Sequence, residues 1–199
     1  MTCREQARAA IAIAGLIAAG IAGGCNRDAS GGAGTGGIEP RRAADMLYAV
    51  MAADRAVYTR HVVNRLTVEQ GALTASEHWK SEPGTLPLPA QMFRMAAEQV
   101  AARDVGVTYV LLSSWPINQQ NGARTPVERE GLAAVVDNDG AAPFYGRETL
   151  GGKLYFTAVY ADVAVAPACV DCHNAHPDSP RRDFELGDVM GAVVLRFPL

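Results

Sequence analysis

Apolar residues at helical spacing dominate the first half of the folded part of the chain. Residues 40–66 carry them every three or four positions, and Pro40 suits the first turn of a helix, so we predict a helix from Pro40 to about Leu66. A second helix is predicted over residues 89–100. A third begins at Thr125–Glu128, where the hydroxyl of Thr125 and the carboxylate of Glu128 suit a capping box.

The second half of the chain is rich in strand-forming residues. Gly151–Gly152 indicates a two-residue hairpin between two of these segments. The predicted strands cover residues 107–112, 144–149, 153–165 and 188–198. Helices first and antiparallel strands after them, with a helix inserted between strands, are typical of the α+β class.

Most apolar side chains of the first predicted helix share one arc, which we expect to face the core. The arc contains Leu47, Val50, Met51, Val57, Tyr58, Val62 and Leu66. His61 falls in the same arc. A histidine on such a face is more often a hydrogen-bonded core residue than a metal ligand, and both interpretations stay open here.

The N-terminus has the pattern of an export signal. Arg4 and Arg8 precede an almost unbroken apolar run of Ala, Ile, Leu and Gly over residues 9–22. Residues 21–25 then resemble a bacterial lipobox, in which Cys25 receives lipid and becomes the new N-terminus. Cleavage with Cys25 unmodified is the alternative. We therefore predict a signal peptide over residues 1–25 and a periplasmic, lipid-anchored protein.

Composition supports one folded domain behind a flexible tether. The glycine-rich residues 26–39 predict a coil, and residues 40–199 are long enough for a single core. The net charge of the 199 residues is -3, and it becomes about -4 without the signal peptide, which removes two arginines and one glutamate. No basic segment suggests binding to nucleic acid.

The motif with the clearest chemistry is Cys169–Val170–Asp171–Cys172–His173. Two cysteines in this spacing, followed at once by histidine, form the attachment signature of haem c. The two thiols add to neighbouring vinyl groups of one porphyrin, and the adjacent imidazole binds the iron. We therefore predict one covalent haem on Cys169 and Cys172, with His173 as the proximal iron ligand.

The cysteine pair has three alternative interpretations. A structural zinc site needs four donors, and His176 would supply only a third. A thioredoxin-like pair normally opens a helix after a strand, whereas Pro177 and Pro180 disfavour a regular helix directly after this pair. A plain disulfide between Cys169 and Cys172 is the last alternative.

Several segments together are similar to the PAS-like c-type haem domain family. They are residues 56–63, 86–90, 114–118, 173–180 and 187–191, and the resemblance extends from about Ala43 to Leu199. It implies a PAS-like antiparallel sheet flanked by helices, with His173 as proximal ligand and thioether bonds to Cys169 and Cys172. Members of the family occur as stand-alone exported haem proteins or as sensing domains of receptors.

The sixth iron ligand is open at this stage. Some family members use a cysteine on the N-terminal helix, and this chain has none there. His61 is our first candidate for the distal ligand, and Met92, Met95, His78 or water are the others. We expect His176 to hydrogen-bond its own loop or a haem propionate.

These observations predict a membrane-tethered monohaem protein for one-electron transfer or redox sensing. Because no transmitter segment follows Leu199 in the sequence, we expect a separate redox partner protein or membrane signal transducer. The alternative is an accessory module that senses a small gas through a vacant sixth position. An enzyme is not expected, since the sequence offers no catalytic motif apart from the haem signature.

Overall fold

The structure is a computed structural model, and it describes residues 37–199. The predicted signal peptide over residues 1–25 and most of the predicted tether over residues 26–39 lie outside the described residues.

Residues 37–199 contain four α-helices, and each begins with proline in its first turn. Proline is favourable there because its missing N–H would have no helical partner. The helices are α1 Pro40–Tyr58, α2 Pro89–Ala102, α3 Pro126–Asp137 and α4 Pro167–Ala175. A π-helical segment, Thr59–Glu69, continues α1 without a break. None of the helices described within residues 37–199 has the length and apolarity that crossing a membrane requires.

The first three predicted helices are confirmed. The capping box of α3 forms as expected, because the Thr125 hydroxyl accepts from the Glu128 N–H at 3.1 Å and the Glu128 carboxylate accepts from the Thr125 N–H at 2.9 Å.

Four antiparallel strands of the described residues form the main sheet: β3 Thr108–Leu112, β4 Phe144–Leu150, β5 Lys153–Val163 and β6 Val189–Pro198. Their spatial order is β3-β6-β5-β4. Gly151 and Gly152 join β4 to β5 with φ angles of 56° and 80°, the left-handed conformation that a tight hairpin needs. The predicted hairpin and the α+β fold class, an antiparallel sheet flanked by helices, are confirmed.

Residues 71–89 are less irregular than predicted. Thr74–Ser76 (β1) and Thr85–Pro87 (β2) form a parallel pair of short strands. Three-residue strands carry too little alternation to be recognised among the turn residues that surround them.

Helices cover both faces of the main sheet. On one face, α1 and α2 pack against Tyr109, Ala158, Tyr160, Val193 and Leu195. On the other face, α3 packs against Leu112, Val159, Ala192 and Val194. The alternation of side chains along β5 and β6 separates these two sets, as strand geometry requires.

The predicted inward arc of the first helix is wrong for four of its seven apolar side chains, since Leu47, Val50, Val57 and Val62 are exposed, whereas Met51 packs against the core. Val50 and Val57 are 60% and 58% exposed, and His61 is exposed as well, whereas Ala44 and Val63 are buried. The face that packs on the sheet carries polar groups that find partners inside the protein. Hydropathy alone therefore favoured the wrong side of the helix.

One of these inward polar groups is the hydroxyl of Tyr48. It donates to the carbonyl oxygen of Ala161 at 2.8 Å. The Tyr48 ring also stacks on Tyr160, with 4.2 Å between ring centroids. The hydroxyl of Tyr48 thus has a hydrogen-bond partner, and its ring is packed against another aromatic side chain.

A charged cluster is buried beneath α3. The Arg196 guanidinium donates to the carboxylates of Glu128 and Glu148, and Glu148 also accepts from the Thr157 hydroxyl at 2.8 Å. Glu128 and Glu148 are only 4% and 8% exposed. Burial alone would raise the pKa of Glu128, but hydrogen bonds from the Arg124 N–H and the Arg196 guanidinium outweigh it, so the pKa lies below its ordinary value.

Candidate functional site

The cysteine–histidine motif lies in α4, directly after strand β5. Pro167 begins this nine-residue helix, and the helix ends at Ala175, before Pro177. The prediction that Pro177 and Pro180 disfavour a regular helix directly after the pair is wrong for residues 173–175, because these residues precede the prolines and continue the helix.

Helical spacing gathers the chemically active side chains of α4. At about 100° per residue, Cys169, Cys172, His173 and His176 fall on one side of the helix. Cys169 and Cys172 are both free thiols, Cys169 half-buried and Cys172 exposed. Two thiols and an imidazole thus share one side of a single short helix, and no disulfide joins the cysteines.

Asn174 anchors α4 to the loop that follows it. Its side-chain amide donates to the carbonyl oxygen of Phe184 at 2.9 Å and accepts from the Phe184 N–H at 3.0 Å. Phe184 is 2% exposed, so both backbone groups lie away from solvent. The loop therefore returns to the helix one residue beyond the candidate iron ligand.

The imidazole of His173 is held by this arrangement. The Phe184 ring meets it edge to face, with 5.7 Å between ring centroids and 90° between the planes. The Nδ1 atom of His173 is buried without a hydrogen-bond partner. Burial lowers the pKa of His173, and the nearby charges of His176 and Arg55 lower it further. A neutral imidazole is the form that binds a metal.

Arg181 braces the loop from its outer side. Its guanidinium lies over the rings of Trp115 and Phe184, 4.8 Å and 4.3 Å from their centroids. It also donates to the Asp188 carboxylate at 3.0 Å, and Asp188 accepts from the Glu185 N–H at 3.1 Å. These contacts fix the position of Phe184, and through it the ring of His173.

His176 borders the site on the side of residue 77. Its Nδ1 accepts from the Asp178 N–H at 3.1 Å, which agrees with the predicted bond to its own loop. Its Nε2 lies 3.9 Å from a carboxylate oxygen of Glu77. The loop bond leaves Nε2 as the nitrogen that faces the carboxylate.

The thiol of Cys172 lies close to a carboxylate. Partial desolvation raises the pKa of this thiol, and the Glu77 carboxylate and Cys169 raise it further. A raised pKa favours the protonated form of the thiol.

The π-helical segment forms the wall opposite the start of α4. The Arg60 Nε donates to the carbonyl oxygen of Val165 at 3.0 Å, and the Asn64 side chain accepts from the Ala168 N–H at 3.2 Å. π-Helical turns are rare and are frequent at functional sites. The segment thus binds both the approach to α4 and its first turn.

The candidates for the sixth ligand are dispersed. His61 is exposed, on the side of the π-helical segment away from the core. His78 and Met95 line one pocket of about 290 Å³ between residues 77–81 and α2, and Met92 is half-buried on the same helix. The role of His61 as distal ligand stays a prediction, as do those of the other three.

A zinc site receives no support from the donors. Within residues 37–199, no three His, Cys, Asp or Glu side chains converge in a way that could hold a metal ion. A tetrahedral structural site would need four such donors.

Three residues that shape the site were missed from the sequence. Asn174 and Phe184 hold the helix against the loop that follows it, and the charge of Arg55 contributes to the lowered pKa of His173. Asn174 follows the motif directly, so its position was a usable signal. Nothing in the local sequence distinguishes Phe184 or Arg55, because their roles depend on how the chain folds back in three dimensions.

Comparisons with known proteins agree with the sequence resemblance. The model of the Tll0287-like family matches residues 38–198. The crystal structure of the cyanobacterial heme-protein Tll0287 is 15% identical and has a TM-score of 0.47, and the match covers 81% of this chain and 97% of that one. None of the curated proteins matches. The family predicted from the sequence is confirmed: this chain belongs to the Tll0287-like family.

Proposed function

We propose that this protein carries one covalent haem c on α4 and acts in one-electron transfer or redox sensing. The observation that carries the proposal is the placement of Cys169, Cys172 and His173 on one side of a short helix whose imidazole is fixed and buried at Nδ1. Membership of the Tll0287-like family supports the same cofactor, because the protein that gives the family its name is a heme-protein.

The thiols and the imidazole of α4 suit covalent attachment of a haem. The S–H bonds of Cys169 and Cys172 would add across the two vinyl groups, which leaves two thioether links and consumes no other reagent. His173 would bind the iron through Nε2, since its Nδ1 lies on the buried side. When bound, haem supplies an iron that gains or loses a single electron.

The surrounding residues support a function in which the iron site changes little. Phe184 restricts the rotation of the His173 ring, and Asn174 holds Phe184 through two hydrogen bonds. A proximal ligand fixed in this way keeps its orientation in both oxidation states, which favours electron transfer.

We place the protein in the periplasm, tethered to the membrane through lipid on Cys25. A redox partner protein or a membrane signal transducer would then receive the electron or the signal. Mass spectrometry of the mature N-terminus tests this tether directly, since an unmodified Cys25 contradicts it. We expect no catalysed reaction.

A second candidate function is the sensing of a small gas such as NO or CO. The outward position of His61 favours it, because the first-choice distal ligand does not face the core. A sixth position without a protein ligand would let such a molecule bind the iron.

Absorption spectra of oxidised and reduced protein separate the two functions. A six-coordinate low-spin iron that does not bind CO supports electron transfer. A high-spin iron that binds CO readily supports sensing. If His61→Ala changes the spectrum and Arg65→Ala, at an exposed position of the same segment, does not, His61 is the distal ligand. An unchanged His61→Ala spectrum removes it from the site.

A further inference from the structure

The outer side of α1 carries an apolar stripe, formed by Met46, Val50 and Val57. These side chains are 53%, 60% and 58% exposed. At about 100° per residue they fall within about 40° of one another around the helix, and the exposed Ala53 lies beside them. Single exposed apolar side chains are normal on a protein surface, but an aligned set marks a surface that meets a partner or a lipid phase.

The stripe lies opposite the side of α1 that packs on the sheet. Ala44 and Tyr48 face the core there, and the Tyr48 hydroxyl bonds to the carbonyl oxygen of Ala161. The exposure of the stripe shows that residues 37–199 leave it uncovered. What covers it must therefore come from outside the folded domain.

The place of the stripe in the chain indicates what this is. Residues 26–36 separate the predicted lipid site, Cys25, from the first described residue, and a coil of this length spans about 20 Å. Ile38, which precedes α1, is 63% exposed. From Pro40 to Val57 the helix extends about 25 Å. A helix that lies flat therefore keeps the whole stripe at the surface to which the lipid holds its first turn.

The charges beside the stripe suit phospholipid headgroups. Arg42 and Arg60 are exposed and lie on the same flank of the stripe, one near each end. Arginine extends its apolar stem along such a surface and places its guanidinium at the level of the phosphates. Asp54 lies on the other flank and limits the contact there, because lipid phosphate repels its carboxylate.

We propose that the stripe of α1 rests on the phospholipid surface to which Cys25 anchors the chain, with Met46, Val50 and Val57 in the interfacial layer. The inference rests on the proposed function, because the lipid on Cys25 supplies the anchor. A weak apolar contact is enough, since the tether keeps the effective concentration of the helix at the surface high. The contact orients the domain, so that α3, on the opposite face of the sheet, points away from the lipid.

Quenching of a fluorescent dye by labelled lipid tests this contact on the mature, haem-loaded protein. Lipid on Cys25 and haem on Cys169 and Cys172 consume these thiols, and Cys3 leaves with the signal peptide. An added cysteine is then the single free thiol, and it can be labelled alone.

Val50→Cys places the dye on the stripe. Ala133→Cys is the matched control, because Ala133 is exposed on α3, which covers the opposite face of the main sheet. Each protein is reconstituted in vesicles of phosphatidylglycerol and phosphatidylethanolamine, with and without nitroxide-labelled lipid. The ratio of the two signals cancels quenching by the haem.

We expect the nitroxide lipid to quench the dye at residue 50 at least about threefold more strongly than the dye at residue 133, because the apolar face of an interfacial helix lies about 5–10 Å into the headgroup and acyl boundary. Adding Val57→Asp to Val50→Cys should lower the quenching toward that of the control, since a carboxylate on the stripe opposes the contact.

Each outcome bears on a different claim. Equal quenching at residues 50 and 133 of the lipidated protein overturns the inference and leaves the tether intact. Quenching that Val57→Asp does not change assigns the signal to the dye and also overturns it. Self-quenching between dyes at residue 50 in vesicles without nitroxide lipid, if lost on dilution with unlabelled protein, shows that a second copy covers the stripe instead. An unmodified Cys25 in mass spectrometry overturns the tether of the proposed function and this inference with it.

Discussion

Replacing Asn174 with alanine should weaken the whole region around α4, because one side chain holds both backbone groups of Phe184. The change removes hydrogen bonds of 2.9 Å and 3.0 Å, each worth about 1 kcal/mol, and leaves a buried N–H and C=O without partners. We expect Asn174→Ala to lower the free energy of unfolding by about 2–4 kcal/mol.

Urea unfolding followed by far-ultraviolet circular dichroism measures this loss. With a slope of about 2 kcal/mol per molar urea, the midpoint should fall by about 1–2 M. The control is Asn118→Ala, because Asn118 is exposed and accepts a single backbone bond, from the Gln120 N–H at 3.0 Å. Asn118→Ala should lower the free energy of unfolding by less than about 1 kcal/mol. Equal urea midpoints for Asn174→Ala and Asn118→Ala would refute the stabilising role of the Asn174–Phe184 hydrogen bonds.

Three further predictions test the packing that supports the site. Gly131→Ala should destabilise the protein although alanine favours helices, because the added Cβ would lie 2.5 Å from the Val159 side chain. Calorimetry should show a lower Tm, and an unchanged or higher Tm would contradict this close packing. Val50→Glu should change the free energy of unfolding by less than about 0.5 kcal/mol in urea, since Val50 is exposed, and a large loss would restore the predicted inward arc. The pKa of Glu128 is lowered in the folded state, so its pairing with Arg196 stabilises the fold above the ordinary glutamate value of 4.5, and this stabilisation is lost as the pH falls from 4.5 through the lower folded pKa. In Glu128→Gln, the Tm should therefore fall less on acidification than in the wild type. The same dependence of Tm on pH in both proteins would contradict this prediction.

Local signals predicted most of the secondary structure. The capping box at Thr125 and the glycine pair at 151–152 act over a few residues, so their chemistry is readable without knowing the fold. The four-strand sheet and the α+β class followed from where such segments occur along the chain.

The orientation of the first helix could not be read in this way. The side facing the sheet contains Tyr48, Arg55 and Thr59, whose polar groups bond to other parts of the protein or to the helix backbone. Hydropathy counts such residues as exposed, while the valines on the opposite side lie in solvent. Only the tertiary partners of a polar side chain reveal that it is inside.

The residues of the candidate site also differ in whether the sequence alone could identify them. Cys169, Cys172 and His173 were identified because their spacing alone encodes the chemistry. The contact between the Phe184 and His173 rings depends on how the loop after α4 folds back, and no spacing rule indicates it.

The central claim is that a porphyrin is covalently joined to α4, and a denatured pyridine haemochrome spectrum tests it most directly. Protein from a haem-c-assembling host is first extracted with acid acetone, and the spectrum of the residual polypeptide is compared with that of Cys169→Ala with Cys172→Ala. We predict that the wild type keeps its pigment, with the band position of a haem whose two vinyl groups are saturated, and that the double variant loses it. A colourless wild type, or a pigment that passes fully into the solvent, would contradict the account.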